Sequence, residues 1–497
     1  MKIELLPEPE VEFGESTRHV DPRFGILNHG PVDSGTDRAL AEVRVGIVGT
    51  AETIEKVERW MTLCAKGVAA RESKQPNLFP RFPGFGAESP FGAKLVMHSR
   101  LQREVSRKAL IPLIGRASDP ATTASAVEMF LEAARSVCEE GPPPHVVVCA
   151  PPYDLLDALE AANQLPLDED RGLDEGADVD ADQLRLRRPA FHDLLKARAL
   201  GLACPIQMVR ERTYDPELPK ARRKGRPATA RPTAHRLQDD ATRAWNFFTA
   251  LYHKAGGSLW RLAREPTDFA TCYIGTSFFY TRDSSKVMAS VAQVFNERGD
   301  GMIVRGAQAH IDKDDRQPHL GEADSHALML NAVQAFRDEH KTSPARVVLH
   351  KTSSFSPQEV AGFVAAAAQE RIELVDLVWV RRSWTRLFRE RTYPPLRGTW
   401  LKLDESNGIL YLRGSVPFFA TYPGLYVPRP LEYACARLAS SARSVAEELL
   451  ALSKLNWNNT QFDGGEPITV RAARRVGDIM KNVPDGHSER VRFKYLM

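Results

Sequence analysis

The chain has 497 residues, of which 43% are hydrophobic and 26% charged, and its formal net charge is +3. That length exceeds one ordinary domain, suggests two or three, and carries enough apolar material for a large core. The balance excludes a disordered chain and a strongly basic nucleic-acid coat. No apolar run reaches the length of a membrane span and the N-terminus has no signal-peptide pattern, so a cytoplasmic protein with no membrane partner is expected. Six cysteines without a C-x-x-C pair or metal-ligand spacing fit a reducing compartment.

Taken in chain order, Gly and Pro at 21–25 and 28–31 read as turns. Residues 44–49 form a short apolar strand and 51–66 have a helical pattern, whereas 75–92, rich in Pro, Phe and Gly, read as an ordered loop. A helix over 121–139 precedes a buried strand over 145–150, an α/β signature. An acidic insertion at 167–182 is followed by a helix over 190–200, a strand over 205–209 and a basic insertion at 220–226. The insertion at 220–226 reads either as a contact for nucleic acid or a partner, or as a plain basic loop. A long helix over 242–254 then stops at Gly256-Gly257. A second α/β unit begins near 269, with strands at 270–275, 290–296, 301–305, 345–350 and 372–380 and helices at 325–339 and 357–369. Early neighbouring strands followed by helix–strand alternation suit an RNase H-like mixed sheet. Two helices, over 439–453 and 470–481, close the chain.

Four residues are candidates for an anion pocket. His192 and Lys196 are four apart on a helix and share a face, where an anion would relieve their mutual repulsion; a solvated helix face is the alternative. Gln207 alternates with Ile206 and Met208, so its amide faces the other side of the strand, to donate to an oxygen or to hold a ligand. Lys254 ends a helix, where a cation suits the dipole, and the double glycine after it permits a left-handed turn or a close backbone approach.

In that order, His192-x-x-x-Lys196, Gln207 and Lys254-x-Gly-Gly-x-x-Trp260 make the chain resemble the Argonaute family, in particular the short prokaryotic Argonautes. Gly30-Pro31, Ser453-Lys-Leu-Asn-Trp-Asn458, Gly465-Glu-Pro-Ile-Thr-Val470 and the aromatic C-terminus Arg492-Phe-Lys-Tyr-Leu-Met497 extend the likeness over nearly the whole chain. The resemblance implies an α/β protein with a Rossmann-like MID domain followed by an RNase H-like PIWI domain. The expected limits are an N-terminal segment over 1–110, MID over 111–262 and PIWI over 263–497. It implies that His192, Lys196, Gln207 and Lys254 anchor the 5′-phosphate of a guide RNA. It also implies that Gln207 and the Met497 carboxylate hold Mg²⁺ there, a hard cation that offsets repulsion between carboxylate and phosphate.

The same resemblance exposes a departure. Active members cut with carboxylates that hold two divalent metals. Here Ser277, in Tyr273-Ile-Gly-Thr-Ser277, and Thr352, in His350-Lys-Thr352, stand at two of the acidic positions, and Val470-Arg-Ala-Ala-Arg-Arg475 stands where the last ligand is expected. Asp283, Asp312, Asp314 and Asp315 read as loop charges. No catalysis by this chain is expected. Arg471, Arg474 and Arg475 recur on one helix face and suit a nucleic-acid backbone, or else a salt-bridged surface. The chain also lacks room for an N-terminal domain and a PAZ domain. The implied function is a cytoplasmic guide-RNA sensor of target DNA, in a heterodimer with an APAZ-containing effector that oligomerises on activation, in defence against plasmids or phage. The effector is expected to deplete NAD through a TIR or sirtuin-like subunit. A nuclease effector, an autonomous endonuclease with a displaced metal site, and a plain α/β interaction protein remain the alternatives.

Overall fold

The computed structural model describes residues 2–163, 189–215, 217, 238–263, 265, 268–294, 301–387, 394–424, 427–462, 464–483 and 490–497. The insertions expected at 167–182 and 220–226 lie outside them. The chain forms two compact units: Ile26–Leu259 with Tyr495–Met497, and Met1–Gly25 with Trp260–Lys494. Residues 1–110, expected as one segment, are thus divided between the two.

The smaller unit is built on a four-stranded parallel sheet in the order Lys94–Glu104, Glu42–Gly49, Val146–Ala150, Ile206–Met208. All five residues of Val146–Ala150 are buried, as a strand covered on both faces requires. After Glu42–Gly49 the Thr50 side chain accepts from Thr53 N, and the Thr53 hydroxyl accepts from Thr50 N, a capping box that starts the helix Ala51–Ala65. The helix Thr122–Glu139 buries Ala126, Val127, Phe130, Leu131, Ala134, Val137 and Cys138, the three-four spacing of one apolar stripe. Cys138 Sγ lies 2.9 Å from Cys204 Sγ inside the same core.

The larger unit carries an eleven-stranded sheet. Its start is an antiparallel meander, Thr271–Tyr280, Val287–Val294 and Gly301–Ile311. Arg346–Lys351 then lies parallel between Thr271–Tyr280 and Leu374–Arg382, and Leu431–Arg437 runs antiparallel to the last of these. Pleating decides which helices cover which face. Val347 and Leu349 pack with residues of Glu322–His340 and Pro357–Gln369, while Val348 packs with residues of Ala442–Leu452. The result is a mixed α/β protein: a parallel-sheet unit and an RNase H-like unit.

One further expectation shifts. The expected turns at 21–25 and 28–31 give way, up to His29, to the helix Pro22–His29, whose first amides, Arg23 N and Phe24 N, donate to Asp21 Oδ1 at 2.8 and 3.1 Å. Proline opens that helix because its missing N–H costs nothing at the first position. No helix among the described residues is long and apolar enough to cross a membrane.

Candidate nucleic-acid interface

In the smaller unit, Phe191, Leu194 and Leu195 bury one face of the helix Phe191–Arg198. Lys196 goes inward with them and is 1% exposed. Its Nζ donates to the Ile206 carbonyl and, at 3.4 Å, to the Tyr495 carbonyl. Lys196 therefore sits beside Gln207, and the C-terminal residues reach it too. Tyr495 OH fixes that tail by donating to the Ala203 carbonyl at 3.2 Å. Burial pushes the Cys149 thiol up, opposed by the positive charge of Lys196 close by.

Gln207 is also buried. Its Nε2 donates to the Phe247 carbonyl at 3.1 Å, and its Oε1 has no hydrogen-bond partner among the described residues. An orphaned buried amide oxygen is costly, and a cation or a donor arriving with a ligand would satisfy it. It is a hard oxygen of the kind Mg²⁺ selects, so Gln207 could contribute one ligand to such an ion. Phe247 belongs to the helix Asp240–Lys254, which ends in Lys254, 2% exposed. Burial pulls the Lys254 ammonium down to about 7. His192 is half-buried, and its Nδ1 lies 3.0 Å from Asp193 Oδ1. The structure thus joins Lys196 to the tail and to Ile206, the residue before Gln207, and links Gln207 to the helix that carries Lys254. His192 it brings against Asp193.

The turn after Lys254 has a partner that sequence reasoning misses. Gly256 has φ +106°, and a Cβ on Gly257 would stand 2.2 Å from the Tyr252 ring. Tyr252 OH donates to Asp33 Oδ1 at 2.8 Å, and Ser258 N donates to Asp33 Oδ2 at 2.7 Å. Burial raises the Asp33 carboxyl pKa. Gly30, with φ +71°, turns the chain toward Asp33, so the Gly-Pro and Lys-x-Gly-Gly elements belong to one construction.

In the larger unit, Thr352 N donates to Thr276 O at 3.2 Å, which sets Thr352 beside Ser277 on the neighbouring strand. Both carry hydroxyls. The sheet is crowded here: a Cβ on Gly275 would meet Thr469 O at 2.1 Å, and His350 Nδ1 lies 2.9 Å from Thr469 Oγ1. Burial holds His350 neutral, with its pKa lowered to about 3. Lys351, the residue before Thr352, is fully buried and paired with Glu359. Among the described residues no group of three or more His, Cys, Asp or Glu could hold a metal. Asp283 and Asp312 serve local turns, as loop charges do. Asp315 does more: its Oδ2 accepts from Ser354 Oγ at 2.9 Å and lies 3.0 Å from His319 Nε2.

Arg471, Arg474 and Arg475 are the half-exposed residues of an otherwise buried stretch of the helix Ile468–Met480. Arg474 pairs with Glu466 at 3.2 Å, and Arg471 Nη2 donates to the Glu466 carbonyl at 2.8 Å. The Ser-Lys-Leu-Asn-Trp-Asn element is a strut. Lys454, fully buried, lies 2.8 Å from Glu8 Oε1 and donates to the carbonyls of Pro9 and Val20, while Trp457 Nε1 donates to the Trp260 carbonyl at 3.1 Å.

No protein-family model matches the sequence, and no curated protein does. Solved structures do match. Clostridium butyricum Argonaute, bound to a guide DNA (5′ deoxycytidine) and a 19-mer target DNA, aligns over 98% of this chain and 53% of its own at 14% identity, with a TM-score of 0.62. Drosophila Piwi covers 99% of this chain and 56% of its own at 13% identity (TM-score 0.56). Aa-Ago, solved with externally bound siRNA, covers the same shares at 13% identity and a TM-score of 0.58. The chain spans just over half the length of these solved chains. Its fold is that of the MID and PIWI region of Argonaute proteins.

Proposed function

We propose that this chain is a guide-binding sensor of the short Argonaute type, in which the smaller unit holds the 5′-phosphate of a guide RNA. The observation that carries this reading is the pair of lysines, Lys196 and Lys254, 1% and 2% exposed, in one unit with a buried Gln207 whose Oε1 lacks a partner. Burying two ammonium groups is costly, and a phosphate would offset that cost with charge-assisted hydrogen bonds. Gln207 Oε1 and the Met497 carboxylate would hold Mg²⁺, which supplies charge neutralisation between phosphate and carboxylate when bound. His192 would complete the pocket at its half-exposed side.

In the larger unit Ser277 and Thr352 offer hydroxyls where a two-metal nuclease needs carboxylates. We therefore read the chain as one that anchors a guide and reports a complementary target DNA, without cutting it. Enzymatic output would come from an APAZ-containing effector in a heterodimer, an NAD-depleting TIR or sirtuin-like subunit, in defence against plasmids or phage. Arg471, Arg474 and Arg475 would line the backbone of the bound strand.

Nucleic acid that copurifies with the protein tests the reading. Short, heterogeneous RNA bearing a 5′-phosphate is the expected finding. The double variant His192→Ala with Lys196→Ala should lose it while keeping the wild-type circular dichroism spectrum. Retention of RNA at the wild-type level would refute the pocket assignment. NAD consumption against DNA degradation by the copurified complex separates an NADase partner from a nuclease.

A further inference from the structure

Trp384 is the most exposed large apolar side chain among the described residues, at 75%. Its position follows from sheet register. Leu374–Arg382 and Leu431–Arg437 pair antiparallel, with Arg381 opposite Glu432 and Arg382 opposite Leu431. Ser383 N continues the ladder by donating to the Pro430 carbonyl at 2.9 Å. The next residues outward are Trp384 and Arg429, and the Arg429 guanidinium lies over the indole, 4.9 Å from its centroid. The arginine thus supports the ring while most of the indole stays open to solvent.

The surroundings are cationic. Arg381 lies over the Trp379 ring at 4.7 Å and pairs with Glu432 while keeping half its side chain exposed. Arg386 Nη1 donates to the Ser383 and Thr385 carbonyls at 3.1 and 3.0 Å, which holds a guanidinium on this same turn. Arg382 lies 3.6 Å from Glu466, the carboxylate that also takes Arg474. Four arginines therefore share this strand end with two acids. Guanidinium forks match phosphate oxygens, and an open indole face accepts any nucleobase. Tryptophan and arginine also occur together in protein interfaces, and it is the excess of arginines over acids on this turn that favours a polyanion.

We propose that Trp384, backed by Arg429, is a stacking platform for an unpaired base of a single-stranded nucleic acid, with the neighbouring arginines on its phosphates. The platform rests on the nucleic-acid reading above but not on the phosphate pocket, which lies in the other unit.

The test uses the full-length protein and a single-stranded oligonucleotide carrying 5-iodouracil, made with a 5′-hydroxyl or a 5′-phosphate. Irradiation should give an adduct that peptide mapping locates at Trp384. Trp384→Ala should weaken the 5′-hydroxyl strand by about tenfold, and Trp384→Phe by much less, since an aromatic face remains. At such exposure neither change should perturb folding. Unchanged affinity in Trp384→Ala with no adduct at residue 384 would overturn the platform. So would loss of a copurifying protein from that variant while its affinity for the oligonucleotide stays at the wild-type value. The outcomes for the pocket are separate: an adduct at Trp384 with no advantage for the 5′-phosphate strand would leave the platform standing and remove the pocket.

Discussion

Lys254 and Gln207 carry the cost of burial in different ways, and each difference is measurable. With its pKa pulled down to about 7, Lys254 is only partly protonated near neutrality. A bound phosphate favours the charged amine, so binding takes up a proton wherever the free protein has lost one. Above the second ionisation of a phosphate monoester, at about pH 6, affinity for a 5′-phosphorylated strand should therefore fall as pH rises through 7 to 9. The 5′-hydroxyl strand should show a shallower fall, and equal slopes for the two strands would remove Lys254 from the phosphate. The free protein should show the matching stability trend. Between about 7 and the ordinary lysine value the unfolded chain holds the proton that folded Lys254 lacks, so this group adds stability as pH rises. For Gln207, chelation of divalent cations should weaken 5′-phosphate binding in the wild type and have little further effect in Gln207→Leu, by titration with and without EDTA. The four proposed pocket positions are picked out in the sequence by their order, which resembles the Argonaute family, whereas each taken singly is an ordinary polar residue. The extent of burial is not legible there, because the helix face shared by His192 and Lys196 leaves the first half-exposed and buries the second.

The turn that ends the helix Asp240–Lys254 depends on packing as well as on backbone freedom. Gly257→Ala would press a methyl group into the Tyr252 ring and should cost about 1–3 kcal/mol, read as a lower denaturant midpoint. Asp33→Ala should cost a similar amount, about 1–3 kcal/mol, because Tyr252 OH and Ser258 N each lose an acceptor. Both variants should also weaken phosphate binding if the turn positions Lys254. The double glycine is legible as a helix stop, but Asp33 is 219 residues from Tyr252 and nothing local announces it. Other elements divide on the same grounds. Pro357–Gln369 is readable to the residue because its Ser356–Glu359 capping box and its apolar stripe agree. The strand Lys94–Glu104 escapes, being a sheet edge with exposed His98, Ser99 and Arg100 and no clean alternation.

Over the whole molecule, the larger unit keeps the RNase H-like sheet, and on the proposed reading Ser277 and Thr352 stand where a nuclease would carry acids. Purified protein given a guide, a matched target and Mg²⁺ or Mn²⁺ should leave the target intact, and a defined cleavage product on a denaturing gel would contradict that. Introducing acids by Ser277→Asp with Thr352→Asp should not by itself create a nuclease. Ser277 is 5% exposed, and the helix Ile468–Met480 presents Arg471 and Arg474 rather than a third ligand. The two-unit α/β design is legible in the sequence from the order of strands and helices, because buried parallel strands and amphipathic helices have strong local signatures. The far edge of the large sheet is not. Thr399–Lys402 and Asn407–Leu410 are four-residue strands, and Lys2–Leu5 joins Thr399–Lys402 from the other end of the sequence.

The Cys138–Cys204 contact has a consequence of another kind. These positions lie 66 residues apart and are held within 2.9 Å, and the hydrogen bond between them keeps the Cys138 thiol below its ordinary value. A thiol oxidant such as diamide should remove two hydrogens here and join them covalently, with diamide reduced to its hydrazine. The clasp would tie the helix Thr122–Glu139 to the chain three residues before Gln207. Intact mass after diamide, with and without later reduction, would reveal it. Preparations handled without a reductant would then contain two covalent forms of the smaller unit.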